Sequence, residues 1–109
     1  MAENMYEAIE SGKYTTKMQW PQHPKKTAVG LASGLYGKEY AKFTEQRKAY
    51  NADCRRLDDL FREDAIRAVG LEGHPKAGKA FAYAYEKGHS AGHSEVFSEL
   101  QDVAALLKD

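Results

Sequence analysis

From Tyr36 onward the apolar residues recur in steps of four and three. Tyr36, Tyr40, Phe43, Arg47, Tyr50, Cys54, Leu57, Phe61, Asp64 and Ala68 fall on one heptad seam, most of it aromatic or apolar. No Pro or Gly interrupts residues 38–69. The spacing predicts one helix of about 50 Å at ~1.5 Å per residue. Asp58 precedes Arg62, and Glu63 precedes Arg67, by four residues, which supports an exposed helix face. Gly70 ends the helix. "GLEGHPKAG" reads as a short connector, with Pro75 suited to the first position of the next helix. A second helix is predicted to about Leu107, with Phe81, Ala84, Tyr85, Val96, Leu100, Val103 and Leu107 as its apolar positions. Two long helices with a short connector make an antiparallel hairpin. Such a pair leaves its aromatic stripe partly uncovered, so a second copy is expected to complete the core, in a dimer or a higher homo-oligomer.

The pattern before Tyr36 is different. Met5, Tyr6 and Ile9 are spaced for one short helix within residues 1–12, stopped at Ser11-Gly12. Tyr14, Thr16, Met18 and Trp20 then alternate, as in a short strand. Pro21 and Pro24 lack a backbone donor and fix the chain, which prevents continuation as helix or central strand. Residues 13–33 therefore read as an arm anchored by Met18 and Trp20. The expected fold is all-α, with an N-terminal arm over 1–34 and a helical hairpin, coiled-coil in character, over 35–109.

Composition narrows the setting. At 109 residues the chain is one domain. Cys54 is the single cysteine, so no internal disulfide forms and a reducing cytoplasm is the simplest compartment. The first residues hold no apolar signal region, and no apolar run approaches the ~20 residues that span a bilayer. For want of such a run no membrane partner is expected; sixteen basic residues balance sixteen acidic ones, which argues against a general nucleic-acid binder but is no bar to a local basic patch. The charge is uneven: residues 11–26 carry four lysines and no acid, and residues 95–109 carry four acids and one lysine. That asymmetry suits head-to-tail contact between copies or docking of the arm on the chain's own acidic tail.

Candidate chemistry concentrates in "KGHSAGHSEV". On a continuous helix His89 and His93 lie one turn apart on the same face. Zinc needs a third and usually a fourth ligand, and only His23, His74 and Cys54 remain as other His or Cys residues. Ser90 stands where a metalloprotease would carry its glutamate. Ser90 and Ser94 have no evident oxyanion hole within a regular helix. No catalytic set, metal or cofactor is therefore assigned. Gly88, Ala91 and Gly92 fit a close helix crossing, because glycine costs about 1 kcal/mol against alanine in a helix. His89 and His93 then rim a glycine notch where a partner or ligand can dock. A second candidate is His74 with Lys76 and Lys79, at a helix start that favours an anion. The third is Met18 with Trp20, anchors for another protein's groove.

The second half, "GHPKAGKAFAYAYEKGHSAGHSEVFSELQDVAALL", resembles the C-terminal segment of a group of small uncharacterised bacteriophage-encoded proteins. The shared elements are Gly73-His74-Pro75-Lys76, Ala84-Tyr85-Glu86, Gly88-His89-Ser90 and the leucines Leu100, Leu106 and Leu107. The arm "MQWPQHPKK" and the segment "YNADCRRLDDLFREDAI" are also similar. The pattern has tryptophan where Tyr85 stands and an aromatic or apolar residue where His93 stands, which argues against a shared His89–His93 metal pair. The resemblance implies a phage accessory protein in the infected bacterial cytoplasm. The expected function is non-enzymatic: binding and inhibiting or modulating a bacterial host or defence protein. The alternative is an oligomeric sponge for an anionic nucleotide. A metal-dependent hydrolase using His89 and His93 is disfavoured against these two by the lack of a complete catalytic set, and a virion or structural helical protein is the fourth reading.

Overall fold

The structure, a computed structural model, describes residues 4–108, and every regular element in that range is helical. The order is α1 (Met5–Glu10), α2 (Ala28–Ser33), α3 (Leu35–Ala68), α4 (Ala77–Gly88) and α5 (His93–Lys108), with a 3-10 turn at His89–Ala91. The chain divides into two compact units, Thr15–Arg56 and the pair of segments Met1–Tyr14 and Leu57–Asp109. Their borders fall inside the expected arm and inside α3.

In the unit made by the terminal segments, α1 starts at Asn4, whose side chain accepts from the Glu7 N–H, and ends at Ser11 before Gly12 with φ 83°. The short N-terminal helix is thus found where its spacing predicted it; the first three residues of the range 1–12 lie outside the described residues. Leu57, Phe61, Ala65 and Val69 are the buried positions at the end of α3 and just beyond it. They follow a step of four. A straight α-helix drifts away from a strict heptad, so Ala65 and Val69 take the inward places that the heptad assigned to Asp64 and Ala68. Gly70 (φ 77°) ends α3 in a Schellman arrangement: Leu71 N–H donates to the Ile66 carbonyl and Gly70 N–H to Arg67. Leu71 is fully buried behind it.

The expected single second helix is two helices. α4 ends at Gly88, and Gly92 adopts φ 107° and ψ 178°, a region essentially reserved for glycine. The chain reverses there. Phe81 of α4 packs on Phe61 at 5.9 Å, and His93, the first residue of α5, packs on the same ring at 4.6 Å. At the far end of α5, the Lys108 ammonium lies close to Gly70. α4 therefore runs back along the end of α3, and α5 returns beside both. One core results, built from Phe61, Ala65, Ala80, Ala84, Val96, Phe97, Leu100 and Ala104, with Met5, Ala8 and Tyr14 closing it. Full burial of a side chain such as Phe61 or Leu100 contributes roughly 1.5–3 kcal/mol. α5 thus covers apolar surface that a hairpin of α3 and α4 alone would leave open.

In the unit Thr15–Arg56, the expected strand is absent: no strand occurs among the described residues. An isolated extended segment has no ladder partner, and this one uses side chains instead. The Thr16 hydroxyl donates to Asp53 at 2.6 Å, the Trp20 ring stands edge-on to Tyr50 at 5.0 Å, and His23 lies 5.1 Å from Phe43. Rising numbers in the arm meet falling numbers in α3, so the arm runs antiparallel to the helix. Thr27 then caps α2 by accepting from the Gly30 N–H, and Gly34 (φ 79°) turns the chain into α3.

Candidate binding surfaces

The "GHSAGHS" stretch forms the corner between α4 and α5. A Cβ on Gly88 would meet the Val96 backbone nitrogen at 2.7 Å, so this glycine permits the start of α5 to lie against the end of α4. A Cβ on Gly92 would meet nothing within 4 Å; its requirement is conformational. The corner separates the two histidines. His93 is half-buried against Phe61 and Tyr14. His89 is exposed, stacks on Tyr85 at 5.3 Å with 15° between rings, and places Nδ1 3.0 Å from the Tyr85 carbonyl oxygen. The shared helix face that a metal pair would need does not form. Among the described residues, no group of three or more His, Cys, Asp or Glu side chains is placed to hold a metal ion.

At the start of α4, Lys76 is the residue before the helix, and Pro75 lies in the preceding turn rather than in the first helical position. The Lys76 N–H donates to His74 Nδ1 at 3.0 Å, so the imidazole organises the turn. Lys79 lies in the first turn, exposed.

A cleft of about 750 Å³ opens between α1, α3 and α5, lined by Tyr6, Lys13, Tyr14, Asp64, Arg67, Phe97 and Gln101 among others. The Asp64 carboxylate accepts from the Tyr14 hydroxyl at 2.8 Å and pairs with Lys13 at 3.2 Å and Arg67 at 3.7 Å. Arg67 also reaches Glu72 at 3.3 Å. Each cation here is matched by a carboxylate, so the cleft presents little net attraction for an anion. It was illegible in the sequence because Tyr14 and Asp64 stand 50 residues apart.

The other unit has a different character. Residues 15–56 hold nine Lys or Arg against three Asp or Glu, a net of +6, while the remaining residues hold seven against thirteen. The overall balance of zero conceals this segregation. Among the described residues, only Lys48 and Arg56 of the nine form ion pairs. Asp53 is bound by Thr16 and by Arg56 at 2.8 Å, and these hydrogen bonds hold its carboxyl below its ordinary value of 3.8. A groove of about 510 Å³ is lined by Met18, Gln19, Trp20, Pro21, Gln22, Gln46 and Ala49, with no acid among them. Trp20 is 55% exposed although its ring leans on Tyr50. Of the ten large apolar side chains exposed among the described residues, six belong to this unit, which makes it the stickier of the two.

The residues brought together are therefore Met18 and Trp20, in one groove. His74 and Lys76 share a turn, Gly88 and Gly92 share a corner, and the two histidines part. Among the described residues every regular element is helical, and the Thr15–Arg56 unit joins a net positive charge to a neutral groove that holds an exposed tryptophan. The chain belongs to DUF8546, a family of unknown function, whose family model matches residues 3–108. No curated protein and no solved structure matches it significantly. Among the described residues no helix is long and apolar enough to cross a membrane.

Proposed function

We propose that the protein acts by binding an acidic macromolecular target through its Thr15–Arg56 unit, without turnover of its own. One observation carries this: a 42-residue unit with nine cations and three carboxylates also presents a half-exposed tryptophan in a groove free of acids. Uncompensated positive charge steers an acidic partner, and a tryptophan anchor supplies short-range affinity. The setting, a phage-derived accessory protein modulating a bacterial host or defence component in the infected cytoplasm, rests on the resemblance of the C-terminal segment.

Affinity capture from bacterial lysate tests the surface. The wild type is compared with Lys17→Glu/Lys42→Glu and with Lys76→Glu/Lys79→Glu. The first variant should lose the captured partner and the second should keep it. The opposite pattern would move the site to the start of α4.

A further inference from the structure

We propose that the acidic target is single-stranded nucleic acid, with a base seated in the groove beside Trp20. This rests on the reading that the Thr15–Arg56 unit is the docking surface. The groove supplies two things an unpaired base uses. The indole of Trp20 is a stacking surface, more than half exposed. Gln19, Gln22 and Gln46 flank it, and none of these amides makes a hydrogen bond among the described residues. An amide carries donors and an acceptor, the complement of a base edge. At about 510 Å³ the groove has room for a base and its sugar.

The cations supply the backbone contacts. Lys17 adjoins Met18 in sequence, and Lys42 lies one helical turn from Gln46 on α3. Lys38, Lys42, Arg47, Lys48, Arg55 and Arg56 are distributed around α3 rather than on one stripe. A rigid acidic protein face would reach one side of that distribution. A flexible chain of phosphates can follow it. Duplex bases are stacked and cannot enter the groove, so the preference is for single strands.

Trp20 is the chain's one tryptophan, so its fluorescence reports the groove directly. The full-length protein is titrated at about 50 mM salt with a labelled oligothymidylate, its abasic counterpart and a duplex. The oligothymidylate should bind and quench Trp20. Affinity should fall roughly fiftyfold between about 50 and 200 mM salt if four phosphates are neutralised, at a slope of about −0.7 per phosphate for single strands. Trp20→Ala should weaken binding about tenfold or more, and Trp20→Phe far less. Circular dichroism checks that each variant keeps its helix content. Absence of binding at low salt overturns the proposal. So does equal binding of the abasic strand with Trp20 fluorescence unchanged, which is charge attraction alone. If the oligonucleotide is ignored while Lys17→Glu/Lys42→Glu still loses a partner from nuclease-treated lysate, the surface stands and the target is an acidic protein. If that variant loses nothing, both readings fall.

Discussion

The Tyr14 hydroxyl donates to the Asp64 carboxylate at 2.8 Å, joining the turn after α1 to the last third of α3 across 50 positions of sequence. Tyr14 is 3% exposed and its ring meets Phe61 edge-on at 5.1 Å. The aromatic body thus closes the core while the hydroxyl reaches a carboxylate that Lys13 and Arg67 also hold. Tyr14→Phe keeps the ring and removes this donor. It should cost about 0.5–1.5 kcal/mol, up to ~3 for a bond to a charged group, read as a lower urea midpoint with an unchanged slope. Tyr14→Ala should cost more, about 3–5 kcal/mol, because the ring's core contacts go as well.

Three alanine substitutions separate the roles of the glycines. Gly88→Ala sets a Cβ 2.7 Å from the Val96 nitrogen, a backbone atom that cannot swing aside, and should destabilise by about 1–3 kcal/mol. Gly92→Ala should cost a similar ~1–3 kcal/mol through its backbone angles alone. Gly78→Ala in α4 meets nothing within 4 Å and should stabilise by about 1 kcal/mol. Thermal unfolding of the three variants checks the order.

The two histidines should respond differently to truncation. His93→Ala removes a ring from the Phe61 contact and should cost roughly 1–2 kcal/mol, whereas His89→Ala removes an exposed stack and should cost under ~0.5 kcal/mol. Treatment with a chelator should leave the melting temperature unchanged. Stoichiometric zinc that is lost in His89→Ala would refute this account of the corner.

Asp53 ties the arm to α3 in a pH-dependent way. The Thr16 and Arg56 hydrogen bonds favour the ionised carboxylate and lower its pKa in the folded state. A lowered native pKa gives stability that is complete above the unfolded value near 3.8 and lost as pH falls through the native value. Thr16→Val should therefore loosen the arm at neutral pH, with the difference from wild type starting to shrink below the unfolded value near 3.8 and vanishing once the pH has fallen through the lowered native value. Trp20 fluorescence against pH, for both proteins, measures it.

Local signals along the chain settled the helical class and several boundaries. The uninterrupted run over 38–69 specified α3, and Ser11-Gly12 and Gly70 marked helix ends, because periodicity, capping and positive φ act over a few residues. Other features depended on partners remote in sequence. Glycines four apart inside an amphipathic pattern suit a helix crossing or a chain reversal equally well. The reversal at Gly92 wins because α5, folded back, buries Val96, Phe97 and Leu100 against Phe61 and Ala65. The alternation from Tyr14 to Trp20 suits a strand, but side chains of α3 take those residues, with Tyr14 directed to one unit and Trp20 to the other. The charge balance of zero was legible, and its division into a basic unit and an acidic one was not. Net charge is a sum over the chain, whereas attraction for a partner depends on which charges the fold gathers in one place.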